Sequence, residues 1–341
     1  MKKITIGSEE VLPGETKRIQ LPMPPLYTDT NMSIPVHVQR GKRDGPTMFV
    51  SAAIHGDELN GIEIVKRLLK SPAIKNLRGT LIAVPMVNVY GVLSQSRYLP
   101  DRRDLNRCFP GSKKGSLAGR IAHLFLNEIV YQCDVGIDLH TGAIHRSNLP
   151  QVRADLDDAE TLEMAKAFGL PVLLNAELRE GSLRQAAGEK NVKVILYEAG
   201  QALRYDEFSI RAGVKGIINV MRHTGMLNKT KQKGRETKMF VARQSGWVRA
   251  NESGFVVHVS QLGDHVEKGQ VLATISDPFG DILDKVLSPQ EGVVIGKQNI
   301  PLAQEGEALY HIAYFRKPDS VAEHVEQVQD DLVPRDAPIV D

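Results

Sequence analysis

The strongest constraint on the fold is an alternation of two patterns. Four apolar runs stand out: TMFVSAAI (47–54), GTLIAVPMVN (79–88), CDVGIDLH (133–140) and VKVILYEAG (192–200). Each has the length of a strand and too few polar positions for a solvent-facing side, so each reads as a strand buried on both faces. Helical spacing separates them. In ELNGIEIVKRLLK the apolar positions are Leu59, Ile62, Val65, Leu68 and Leu69; in LAGRIAHLFLNEIVYQ they are Ile121, Leu124, Phe125, Ile129 and Val130. AETLEMAKAFGL and RAGVKGIINVMRHTGM also read as helices, and PVLLN as a further strand. Strands alternating with helices imply an α/β layer with a mostly parallel sheet. Ligands of such sheets sit beyond the carboxyl ends of the strands, where His55, His140 and Glu198 fall.

Residues 1 to about 45 read as short strands and loops, with LPMPPLYTDT an irregular proline-rich piece. A first domain is expected over 1–228. The texture then changes: KTKQKGRETK reads as a solvated connection, and 238–314 is β-like with frequent glycine. This β-rich domain, bounded at 229–315, resembles the biotinyl/lipoyl-like barrel-sandwich hybrid, most clearly in GDHVEKGQVL. Carrier domains of that family bear their prosthetic group on a lysine at a hairpin tip. Lys285, in SDPFGDILDKVLS, lies in no clear tip motif, so no attached group is expected. The tail, 316–341, is acidic with little apolar surface and reads as an extended arm or disordered.

Composition excludes several classes. Forty-three basic residues against 41 acidic leave a net charge of +2, which gives no general case for nucleic-acid or membrane binding. No apolar stretch approaches the roughly 20 residues of a membrane helix, and no secretory pattern follows the N-terminal lysines. Two cysteines, Cys108 and Cys133, with no C-x-x-C spacing fit a reducing cytoplasm.

The chemistry-bearing residues cluster in four places. His55 and Glu58 form H-x-x-E at a strand-to-helix turn, and imidazole nitrogen with carboxylate oxygen is a zinc ligand set. A third ligand is needed, and GIDLHTG supplies His140 at a second strand end. Asp138 lies two residues before it, on the same face of the strand, as suits a carboxylate orienting a ligating imidazole. RYLPDRRDLNRCFPG (97–111) carries Arg97, Arg102, Arg103 and Arg107, with Asn106 beside the last. Arginines can grip a carboxylate in bidentate fashion or stabilise an oxyanion. In VILYEAG, Glu198 ends an apolar strand, where a carboxylate near zinc can relay a proton. Each element alone has a bland reading: a chance H-x-x-E, a solvated basic loop, a capping carboxylate.

Taken in order, HGDE, DLNRCFPG, DLHTG and YEAG resemble the zinc carboxypeptidase superfamily, most closely its succinylglutamate desuccinylase/aspartoacylase branch. The resemblance runs from about residue 45 to 225, and the β-rich C-terminal domain also fits that branch. It implies a mixed sheet flanked by helices with a small all-β domain. It implies one zinc ion held by His55, Glu58 and His140, and Glu198 as general base and acid. Asn106 and Arg107 would hold a substrate carboxylate. An upstream arginine would polarise the scissile carbonyl, with Arg97 ranked before Arg103. The family tyrosine that closes over substrate has no matching motif here. The activity implied is zinc-dependent hydrolysis of a small N-acylated amino acid; peptide cleavage, or a non-catalytic binding role, are the rivals. A homo-oligomer is compatible with the sequence.

Overall fold

A computed structural model describes residues 3–229 and 238–333. The linker segment 230–237 and the end of the tail, 334–341, lie outside the described residues. The chain opens with β1 (Ile4–Ile6) and β2 (Glu9–Val11), a small hairpin. Then come β3 (Thr16–Met23), β4 (Met32–Arg40), β5 (Arg43–Ala52), α1 (Asn60–Lys70), β6 (Arg78–Val84), α2 (Val89–Leu93) and α3 (Leu117–Glu128). β7 (Val135–Gly142), β8 (Arg146–Ala154), α4 (Ala159–Phe168), β9 (Val172–Asn175), α5 (Leu183–Gly188), β10 (Lys193–Gln201) and α6 (Glu207–His223) complete the first half. The C-terminal part holds β11 (Phe240–Ala242), β12 (Gln244–Arg249), β13 (Gly254–His258), β14 (His265–Val266), β15 (Val271–Ser276), β16 (Ile282–Leu287), β17 (Gly292–Gln298), β18 (Leu302–Ala303), β19 (Ala308–Tyr314) and α7 (Pro318–Leu332).

The buried runs form the middle of one mixed sheet, ordered β12-β19-β17-β8-β10-β7-β5-β6-β4-β3. β10, β7, β5 and β6 run parallel, and β8 and β4 join antiparallel on either side. β6, β7 and the second part of β5, from Thr47, are buried almost throughout, as their unbroken apolar sequences require. One face is covered by α3, through Ile121 and Phe125 against Phe49 and Ile82. The other is covered by α1, α4 and α6, through Ile64, Leu68, Met164 and Ile217. Side chains cap several of these helices: Ser116 accepts from Gly119 N (3.2 Å), Asp158 from Thr161 N (2.8 Å) and Asp206 from Ser209 N (2.6 Å).

Three features differ from the sequence reading. First, β12, β19 and β17 do not close on themselves: they extend the main sheet through β17 and β8, with Gly296 opposite Asn148. In the C-terminal part, β16, β15, β13 and β18 form a separate antiparallel sheet. Second, residues 318–332 of the tail are helix α7. Val321, Val325 and Val328, spaced four and three apart, are buried and outweigh the acidic composition of the segment. Third, β8 is a central strand in a segment that gave no strand signal, because Pro150 and the polar residues around it mask the pattern. Lys285 lies inside β16, while the turn before that strand spans Asp277 to Asp281. Both cysteines are free. Among the described residues no helix is long and apolar enough to cross a membrane.

Candidate active site

β5 stops at Ala52, two residues before its apolar run ends. Ala53 adopts a left-handed backbone (φ 51°), and its carbonyl accepts from Asn88 N at 2.9 Å. The chain then turns through His55 and Glu58 into α1. Two glycines make the turn possible. A Cβ on Gly56 would lie 1.9 Å from the carbonyl carbon of Gly91, so only glycine lets the loop press against α2. A Cβ on Gly61 would lie 2.7 Å from Ala52 Cβ and 2.9 Å from Leu139 Cβ, so α1 begins in direct contact with β5 and β7.

Glu58 is the centre of the site, only 2% exposed. Its Oε1 is 2.7 Å from His55 Nδ1 and its Oε2 is 2.8 Å from His140 Nδ1. Thr141 N donates to Oε2 at 3.1 Å, and Arg97 Nη1 donates to Oε1 at 3.3 Å. Each imidazole meets a second carboxylate on its far side. His140 Nε2 is 2.7 Å from Asp138 Oδ2, and His55 Nε2 is 3.1 Å from Asp104 Oδ1. Asp138 is fixed in turn by Ser51 Oγ (2.7 Å), and Asp104 by Arg97 Nη2 (3.0 Å). Burial works against every charge here, but mutual attraction outweighs it. The Glu58 carboxyl is held well below the ordinary carboxylate range by the two imidazoles, and both imidazoles titrate above theirs. Burial likewise pushes Asp104 upward, and His55 and Arg97 bring it below the ordinary range.

This donor set suits a divalent metal. With each Nε2–H donated to its outer carboxylate, each Nδ1 lone pair faces a carboxylate oxygen. Acceptor against acceptor is repulsive unless protons or a cation lie between. The three ligand atoms are within 4.8 Å of one another, two nitrogens and an oxygen, as zinc prefers. The Asp138 and Asp104 contacts are the outer hydrogen bonds that fix the tautomer of a ligating histidine.

Glu198 stands beside this trio: β10 pairs with β7 so that Glu198 is the direct partner of His140. Arg153, on β8, ion-pairs with it, with Nε 2.6 Å from Glu198 Oε2. Asn106 is buried, and its Oδ1 accepts from Leu183 N at the start of α5 (2.9 Å). Arg107 is exposed, with Nη1 on the Asn106 carbonyl (2.6 Å). Trio, Glu198, Arg97, Asn106 and Arg107 all line one cavity of about 1110 Å³. Arg103 does not line it: its side chain is exposed and its nearest carboxylate is Asp101, at 4.0 Å. Eight arginines line the cavity against four carboxylates, which gives it a strongly cationic wall.

Several residues of the site carry no sequence signal of their own. Asp104, which backs His55, lies inside DLNR beside Asn106 and Arg107. Arg153 lay in unrecognised β8, whose one signal is the alternation Gln151-Val152-Arg153-Ala154. Arg184, whose guanidinium donates to the carbonyls of Ala176 and Glu177 at 3.2 Å, sits on short α5. Trp247 and His311 come from strands expected in a separate domain.

Comparison with known proteins gives the family and the fold. Residues 44–224 match the family model described as the succinylglutamate desuccinylase/aspartoacylase catalytic domain. An N-alpha-acetyl-L-2,4-diaminobutyric acid deacetylase from Halomonas elongata is 33% identical over 254 residues, covering 72% of this chain and 74% of that protein. The product-bound structure of the ectoine utilization protein EutE (DoeB) from Ruegeria pomeroyi superposes with a TM-score of 0.79 at 25% identity, over 89% of this chain and 97% of that one. A succinylglutamate desuccinylase/aspartoacylase from Rhodobacter sphaeroides shares the fold, with a TM-score of 0.78 at 24% identity, over 88% of this chain and 96% of that one.

Proposed function

Since the chain belongs to the succinylglutamate desuccinylase/aspartoacylase family, we propose that it is a zinc-dependent amide hydrolase that removes the acyl group from N-acylated amino acids or related small carboxylates. The observation that carries the reading is the Glu58-centred trio with Glu198 directly across the strand pair from His140. The deacetylase name of the Halomonas relative supports the reaction class.

His55, Glu58 and His140 would hold one zinc ion, which supplies Lewis acidity toward the amide carbonyl and toward water. Glu198 takes the proton of the attacking water and passes it to the amine nitrogen as the carbon–nitrogen bond breaks. The ion pair with Arg153 orients that carboxylate. Arg97 polarises the scissile carbonyl from beside Glu58. Asn106 and Arg107 hold the substrate carboxylate. Asp138 and Asp104 keep the imidazoles in place. Arg103 has no part in this reading, since it is exposed and does not line the cavity. The two free thiols support placing the protein in a reducing cytoplasm.

The test is hydrolysis of a panel of N-acetyl and N-succinyl amino acids beside short peptides. Amine release from the acyl amino acids, reduced about 10²–10⁴-fold in Glu198→Gln with zinc content unchanged, is the expected outcome. Cleavage confined to peptides would make the protein a carboxypeptidase. Full activity in Glu198→Gln would remove Glu198 from the chemistry.

A further inference from the structure

The cavity floor is one sheet face that runs past the metal trio. His140 on β7 pairs with Glu198 on β10; past a register shift Gly200 of β10 pairs with Asn148 on β8, and from Asn148 the partners are Gly296 on β17, His311 on β19 and Trp247 on β12. Gly296 keeps this floor low, because a Cβ there would lie 3.0 Å from both Asn148 Oδ1 and His311 Cβ. At the far end the Trp247 ring stacks on His311, with centroids 4.4 Å apart and planes 10° from parallel. His311 is 5% exposed and Trp247 is 39% exposed. The Arg146 guanidinium carbon lies 5.3 Å from the Trp247 centroid.

Two donors at this end have nothing to bind. The Arg146 side chain makes no hydrogen bond or ion pair among the described residues, although the other half-buried cavity arginines, Arg97, Arg153 and Arg184, all have partners. The Asn148 amide, only 6% exposed, also makes no hydrogen bond there. A fork of N–H donors and a side-chain amide, next to a flat apolar ring, is the chemistry that receives a carboxylate with methylenes behind it. We infer that Arg146, Asn148 and Trp247 form a second anion subsite, which takes a carboxylate carried by the substrate at the end remote from the one held by Asn106 and Arg107. The naming of the ligand as substrate rests on the hydrolase reading above. Two strand spacings separate β7 from β8 and five separate it from β12, so the second carboxylate lies about 10 Å or more from the trio. An acetyl group is too short to reach it.

Trp247 is the chain's single tryptophan, so its fluorescence reports on this subsite directly. The experiment titrates the full-length protein with adipate and with hexanoate, which differ by one carboxylate, and follows fluorescence and calorimetric heat together. The subsite predicts saturable binding of adipate that perturbs the fluorescence, at least about tenfold tighter than hexanoate. Arg146→Gln collapses that difference. Equal affinity for the two acids, an unchanged difference in Arg146→Gln, or no heat and no fluorescence change with adipate would each overturn the inference. The two readings fail separately. Adipate discrimination without hydrolysis of any acyl amino acid leaves the subsite and removes the hydrolase. Hydrolysis without discrimination does the reverse.

Discussion

On the proposed reading, the carboxylates behind the histidines would set how firmly the trio holds zinc. Asp138 holds one ring by its Nε2 and Asp104 the other, and neither touches the ligand atoms. Removing either leaves all three ligands in place while freeing a ring to rotate. Asp138→Ala or Asp104→Ala should therefore weaken zinc binding by about 10–100-fold in a chelator competition, with the fold retained. A second residue-level effect lies away from the site. His258 Nδ1 is 2.6 Å from Tyr310 Oη, whose proton goes to the Leu272 carbonyl at 2.7 Å. Burial, aided by Lys297, pushes His258 down to about 4, and burial, aided by Arg153, pushes His311 down to about 3. Both are neutral in the fold, while an unfolded chain protonates them near pH 6.5. The stability they contribute is complete above that pH and is lost as pH falls toward 4. In His258→Gln the fall in unfolding free energy between pH 6.5 and 4.5 should be smaller than in the parent, measured by denaturant titration at each pH.

Elements explain which parts of the architecture were legible beforehand. β5, β6, β7 and β10 were visible because a strand covered on both faces has no room for polar residues. The three proposed ligands and Glu198 were visible with them, since they lie in or just past the ends of such runs. β8 was hidden for the opposite reason: Arg146, Asn148 and Arg153 face a polar cavity, so the strand lacks an apolar face there. The tail helix was hidden because its apolar content is three valines; composition averaged over the tail dilutes a stripe that helical spacing concentrates. α7 packs against α6, β14 and β17, so it is structural cover and not an arm. Val325, 6% exposed, is the test. Val325→Asp places a charge against this packing and should cost about 3 kcal/mol or more in chemical denaturation. Val325→Ile should cost less than about 1.5 kcal/mol.

At the scale of the molecule, charge distribution matters more than total charge. The whole chain is nearly neutral, yet the cavity wall holds eight arginines and four carboxylates. An anionic substrate approaches a field focused by low-dielectric walls, and salt screens that field. For an N-acyl amino acid, kcat/KM should fall several-fold between about 20 mM and about 500 mM salt, and more steeply for substrates carrying two carboxylates. An uncharged amide analogue should show little of that slope. Sequence reading could not anticipate this concentration, because the arginines come from four separate stretches that only the fold assembles.

The continuity of the sheet across β8 and β17 divides labour along the chain. The proposed ligands and proton carrier come from the parallel strands and their loops, whereas the cavity's far floor is lent by β12 and β19, 43 residues beyond β10 at the closest. One rigid scaffold therefore carries two independently mutable inventories. Drift in the later segment can retune which molecules are accepted without disturbing how they are cleaved, and lineages sharing an unaltered reaction centre can diverge in diet through their last hundred residues alone.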